Sequence, residues 1–188
     1  MPRYSETSVR ILRRFRAWIL MRSFDSRDTD IYRAVHYLKD NGFFFADYSQ
    51  EFFEDVDKLL RIGKVKQIKR LLVYEHDAEL STAETARIIQ FHVATGDYDC
   101  RVIASKAWES ILVGASLPPT VDLGIFGDRR AYRALRDKPD FVFGTWTGNR
   151  PEVKKLITLF EAGWQAGRPA VVVNGKGMTI RQLFYPSI

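Results

Sequence analysis

The sequence predicts an α/β fold, and three observations carry that reading. First, Ile68–Tyr74 (IKRLLVY) is rich in apolar and β-favouring residues, a helical stretch follows through Ala94, and Asp99–Ala104 (DCRVIA) is again strand-like. Strand, helix, strand at this spacing is a βαβ unit, which implies a parallel pair with a right-handed crossover. Second, Val121–Phe126 (VDLGIF) supplies a third strand, ended by Gly127-Asp128. Third, Asn149 to Glu152 has N-cap to N3 spacing with Pro151 in the first turn. Val153, Leu156, Ile157, Phe160 and Trp164 then recur at helical spacing until Gly167 and Pro169 stop the helix.

The remaining elements follow in chain order. Near the start, Ile11, Phe15, Trp18 and Ile19 share one helical face, with Arg10, Arg13 and Arg14 opposite. Ser23–Asp30 is a polar connector. Thr29–Asp40 reads as a short helix with Ile31, Val35 and Leu38 on one face, stopped by Asn41-Gly42. Phe43-Phe44-Phe45 is strand-like or a plug for the core. Ser49–Ile62 reads as a helix through Phe52, Val56, Leu59 and Leu60, and Gly63 ends it. Ser81 to Glu84 has capping-box spacing and opens the helix of the βαβ unit. Pro118-Pro119 makes Ala115–Thr120 a loop. Arg129–Leu135 fits a strand or a short helix, and Asp140–Trp146 alternates as a strand. Ala170–Val173, Asn174-Gly175 and Gly177–Leu183 form a β-hairpin signal. The chain therefore divides into a basic helical segment with its connector, residues 1–28, and a single α/β domain, residues 29–188.

Composition narrows the function. Of 188 residues, 46% are hydrophobic and 28% charged, which excludes a wholly disordered, collagen-like or coiled-coil chain. The single cysteine, Cys100, excludes an intramolecular disulfide framework and a cysteine-rich zinc module. Residues 1–22 hold six arginines and one acid, while the other 166 residues carry 23 basic and 22 acidic side chains. Five of the six net positive charges thus belong to one segment, which argues against a nucleic-acid surface wrapping the whole protein. That segment fits four roles: a solvated helix on its own domain, an arm for a partner or nucleic acid, a membrane-surface helix, or an organelle transit peptide. Its apolar run is too short for a secretory signal, and no stretch approaches the length of a membrane span. A cytoplasmic location is expected.

Candidate chemistry gathers at one sheet edge. Ligands of open parallel sheets bind outside the carboxyl ends of the strands. Glu75, His76 and Asp77 follow one strand of the βαβ unit, and Ser105 and Lys106 follow the other, so these five residues form the expected ligand site. His36 and His92 read as structural, partly buried histidines, and Cys100 as a packed, unreactive thiol. Pro139-Asp140, eleven residues, then Glu152-Val153-Lys154 matches a nuclease-like PD…ExK pattern, but the capping signal puts Glu152 in a helix, where it already serves as N3. No GxGxxG, GxSxG or HExxH occurs, and neither a cofactor nor a metal ligand set is expected.

A family resemblance adds to this. The carrying pieces are Glu51–Leu60 leading into Gln67–Val73, the helix Ala86–Ala94 running through Gly96 into Cys100–Ile103, the strand Val121–Phe126, and Leu156–Gln165 with Phe160 and Trp164. Over about 115 residues, from Glu51 to Gln165, the chain resembles a phospholipase-D-like domain, specifically the non-catalytic branch that serves as regulatory or sensor-like modules. The resemblance implies a three-layer sandwich around a mixed, largely parallel sheet, here with N-terminal helices and a C-terminal β-hairpin. Active members carry HxKx4D, with histidine and lysine two apart on a strand so that both face one pocket. His92 and Asp99 have the right separation, but Ala94 stands where the lysine belongs, and His36 and Lys39 are off by one.

The expected function is a catalytically inactive binding or regulatory module that docks to a protein partner through the basic N-terminal helix. Two alternatives stay open. One is a divergent phosphodiesterase or nuclease, which would need a homodimer to complete a two-motif site. The other is an accessory protein that binds nucleic acid or an anionic membrane through Arg10, Arg13, Arg14 and Arg16.

Overall fold

Seven strands and four α-helices make up the described part of the chain. A computed structural model describes residues 30–39, 44–45, 47–94, 98–117, 121–135 and 145–170. In order they are β1 (Ile31–Tyr37), α1 (Asp47–Arg61), β2 (Gln67–Tyr74), a 3₁₀ turn (Asp77–Ser81), α2 (Ala83–Ala94), β3 (Tyr98–Ala104), α3 (Ser105–Gly114), β4 (Val121–Phe126), β5 (Arg130–Leu135), β6 (Thr145–Thr147), α4 (Arg150–Ala166) and β7 (Arg168–Pro169). All strands join one sheet in the order β6-β5-β4-β1-β2-β3-β7. β1 pairs with β2 and β2 with β3 in parallel, with Tyr32 opposite Ile68 and Ile68 opposite Tyr98. Every other pairing is antiparallel. The sheet is therefore mixed, as expected, but parallel only at its centre rather than for the most part. Parallel pairing needs a crossover helix, and such helices link only β1 to β2 and β2 to β3.

Two cores sandwich the sheet, because successive strand residues point to opposite faces. On β2, Ile68 and Leu72 join Phe52, Phe53 and Val56 of α1 and Ile88 and Phe91 of α2. Leu71 and Val73 join Trp108 and Leu112 of α3 and Leu156, Phe160 and Trp164 of α4. This gives three layers: α1 and α2, the sheet, then α3 and α4.

Several sequence expectations change here. Thr29–Asp40 is not a helix: Ile31–Tyr37 is a central strand. Tyr32 and Ala34 enter one core while Val35 and Tyr37 enter the other, so both faces are apolar and the alternation that marks a strand is erased. Its β-branched and aromatic residues were the surviving signal. Helix α3 follows β3 with no intervening loop and no side-chain cap at Ala104, so no start signal announces it. The N-cap of α2 is Thr82 rather than Ser81. Thr82 Oγ1 accepts from the Thr85 amide at 3.2 Å, since Ser81 is taken up by the 3₁₀ turn. Arg130–Leu135 resolves as a strand because it completes a hairpin with β4.

Other expectations are met. Gly63 ends α1 with φ of 69°, a conformation glycine adopts freely, and the Lys64 amide donates back to the Leu59 carbonyl at 2.9 Å. Asn149 Oδ1 accepts from the Glu152 amide at 3.2 Å and starts α4. Phe44 is fully buried, a plug for the α1/α2 core. The segment expected to form a basic helix, with Arg10, Arg13, Arg14 and Arg16, most of Asp140–Trp146, and the hairpin expected beyond Ala170 lie outside the described residues.

Candidate functional site

The three parallel strands end at one edge, and their exits diverge. After β2 the chain passes through the 3₁₀ turn to α2 on one face. After β3 it enters α3 on the opposite face. Neighbouring strands whose connections leave to opposite sides open a crevice between them, where open α/β sheets take their ligands.

Glu75, His76 and Asp77 stand at the β2 exit and are all exposed. His76 occupies the cap position of the 3₁₀ turn in an extended conformation, and its carbonyl accepts from the Glu79 amide at 2.9 Å. The turn carries Glu79 back over the strand end, where its Oε2 accepts from the Glu75 amide at 3.1 Å. Lys39, just past β1, forms an ion pair with Glu75. The imidazole of His76 and the carboxylates of Glu75 and Glu79 offer atoms that lie within 4.8 Å of one another.

The structure thus joins Glu75 and His76 to Lys39 and Glu79, neither of which the sequence reading placed at this edge. Lys39 was hidden because reading β1 as a helix through Asp40 removed it from the strand edge. Glu79 was hidden because a single 3₁₀ turn has no periodic signature. At the β3 exit, Ser105 is buried in the first turn of α3 and Lys106 is exposed. Among the described residues, no hydrogen bond or ion pair ties Asp77, Ser105 or Lys106 to the Glu75 cluster. They border the crevice without joining it.

The other histidines lie elsewhere. His36 packs edge-on against Phe44, with ring centroids 4.5 Å apart, inside the α1/α2 core. Arg70 of β2 is buried there too, its guanidinium 5.4 Å from the Phe44 ring and 5.8 Å from the Phe53 ring. His92 of α2 is fully buried among Phe44, Phe53, Phe91 and Tyr98. Its Nδ1 donates to the Ile88 carbonyl oxygen at 2.6 Å, which leaves Nε2 an acceptor with no hydrogen-bond partner among the described residues. Burial, and then the charge of Arg70, hold its pKa well below the usual range, so the ring is neutral. Asp99, the other half of the HxKx4D-like spacing, is exposed and accepts from Gln67 at 2.6 Å. One group faces the core and the other faces solvent, so the two share no pocket. Burial likewise pushes the Cys100 thiol up to about 12, which keeps it protonated and unreactive.

Glu152 is committed as well. Its Oε1 lies 2.6 Å from Arg133 Nη2, and its Oε2 accepts from Thr147 Oγ1 at 2.6 Å. These contacts tie the first turn of α4 to β5 and β6. Both carboxylate oxygens are engaged, so this residue braces the start of α4. Its sequence partner Asp140 lies outside the described residues.

A concavity of about 380 Å³ lies at the amino end of β1, away from the β2 and β3 exits, lined by Asp30, Arg33, Gly127, Asp128 and Arg129 among others. Acids and bases are mixed around it, and Arg33 is already held by Glu161 at 2.9 Å. It therefore favours no ligand charge. No described helix is long and apolar enough to cross a membrane. No protein-family model, curated protein or solved structure matches the chain.

Proposed function

We propose that the protein is a catalytically inactive binding or regulatory module of phospholipase-D-like architecture. It takes a ligand in the crevice between the β2 and β3 exits. It docks to a protein partner through the basic segment carrying Arg10, Arg13, Arg14 and Arg16. The observation that supports this best is the placement of the three imidazoles. His36 and His92 are buried in the α1/α2 core, and His76, the exposed one, stands among carboxylates. A phosphodiester nucleophile needs a lysine free to bind phosphate, whereas Lys39 is paired with Glu75 and the surrounding carboxylates repel phosphate.

The test is hydrolysis of bis(p-nitrophenyl) phosphate by the full chain. We expect no turnover above that of the His76→Ala variant. Hydrolysis that disappears in His76→Ala would replace the module with a divergent phosphodiesterase.

The charge asymmetry favours one other reading, a nucleic-acid or membrane accessory. Six arginines within residues 1–22 against a nearly neutral remainder would give binding to a DNA duplex or an anionic vesicle that falls steeply with salt. Such binding, lost when residues 2–22 are deleted, would favour that reading over a protein partner.

A further inference from the structure

We infer that Glu75, His76 and Glu79 form a binding site for a divalent transition-metal cation of the zinc type. The site lies in the crevice assigned above to ligand binding, but it rests on its own donor set and not on the absence of catalysis.

The first argument is donor chemistry. One imidazole nitrogen and two carboxylate oxygens make a mixed set, in which the nitrogen favours zinc-like ions over magnesium or calcium. The imidazole is what separates this cluster from an ordinary acidic patch. The second argument is geometry. His76 caps the 3₁₀ turn and Glu79 lies within it, and the turn brings their donor atoms, with those of Glu75, within 4.8 Å of one another. The Glu75 amide holds Glu79 Oε2 at 3.1 Å and leaves Oε1 open. Ligand atoms around tetrahedral zinc lie roughly 3.4 Å apart, so small side-chain rotations close a set already within 4.8 Å.

The third argument is charge. Residues 75–79 carry three carboxylates and no lysine or arginine, and the cluster already attracts the Lys39 ammonium onto Glu75. A metal ion competes with that ammonium for the same carboxylate. Three protein ligands leave at least one coordination position open toward the crevice. The bound ion would therefore give the module a handle for an anionic or imidazole-bearing group on its ligand.

The test is a calorimetric titration of the full chain with zinc chloride alone, at neutral pH. One saturable site is expected, weakened roughly tenfold or more in both His76→Ala and Glu79→Gln. Lys39→Met should bind zinc more tightly than the parent, because the ammonium no longer competes for the Glu75 carboxylate. All three positions are exposed or half-buried, so the variants fold and the comparison stays readable. Affinity unchanged in both His76→Ala and Glu79→Gln, or no saturable binding, overturns the site. Repeating the bis(p-nitrophenyl) phosphate assay with zinc separates the two proposals. Zinc-dependent turnover lost in His76→Ala would keep the metal site and end the inactive reading, and zinc binding without turnover keeps both.

Discussion

The two faces of the sheet are built on different principles. The α3/α4 face is an apolar core of Val35, Tyr37, Leu71, Val73, Ile103, Trp108, Leu112 and the inner side of α4. Charged residues on that side stay at its margin. Arg33 and Lys69 reach Glu161, and Arg101 donates to the Trp164 and Gly167 carbonyls at 2.8 and 3.2 Å, satisfying the carboxyl end of α4. The α1/α2 face instead buries His36, Arg70, His92 and, by strand alternation, Asp122 within its aromatic packing. Burying polar groups is costly unless they are satisfied, and the ionisation of such groups is coupled to folding. One face should therefore respond to lost volume and the other to pH.

The largest effect expected is on the apolar face. Trp108 is fully buried between α3, α4 and β2, and Trp108→Ala should cost about 3–5 kcal/mol. Urea denaturation measures it, and a loss below about 1 kcal/mol would mean that this face is not close-packed. Gly163→Ala comes next. A Cβ there would stand 2.7 Å from Trp108 Cζ3 and 3.0 Å from Leu71 Cδ2, so α4 must back away from the ring. Overpacking of this kind costs about 1–3 kcal/mol, visible as a fall in thermal midpoint of several degrees. Neither loss should change between pH 7 and 5.5.

The polar face should behave in the opposite way. His92 is neutral when folded because burial lowers its pKa, whereas the unfolded chain protonates it near the ordinary value. The unfolded state therefore binds more protons once the pH drops below about 6.5, and folding stability falls with it. While the folded ring stays neutral, the slope is about 1.4 kcal/mol per pH unit. The sign is fixed: stability is whole above that range and is lost on acidification. His92→Leu should flatten the profile between pH 6.5 and 5.5 as measured by urea midpoints. A parent profile already flat over that interval would show that the ring protonates without unfolding.

The same contrast explains what could be read from the sequence. Helices with one solvated face were legible, α1 by its spacing and Gly63 and α4 by Asn149 and its apolar stripe, while β2 and β3, apolar on both faces like β1, were legible through the capping signal and Gly96 that punctuate the βαβ unit. β1, apolar on both faces, was mistaken for a helix, and α3, joined to β3 without a breaker, was passed over. The candidate site inherited both virtues and faults. Glu75 and His76 were found because strand ends at a parallel edge are a general rule. Lys39 was missed because its strand was. Nothing local in the sequence reports that the carboxylate of Glu79 swings back over the end of β2.

The smallest effect separates the crevice from both cores. Lys39 and Glu75 form a partly exposed ion pair, and such pairs contribute about 0–1 kcal/mol. Lys39→Met should therefore leave the urea midpoint within about 0.5 kcal/mol of the parent. The same variant is the one expected to tighten zinc binding. A group that matters little to folding yet controls cation affinity belongs to a surface kept for recognition. If Lys39→Met instead lowered stability by more than about 2 kcal/mol, the pair would be holding β1 to the β2 exit, and the cluster would be a clasp for the sheet edge.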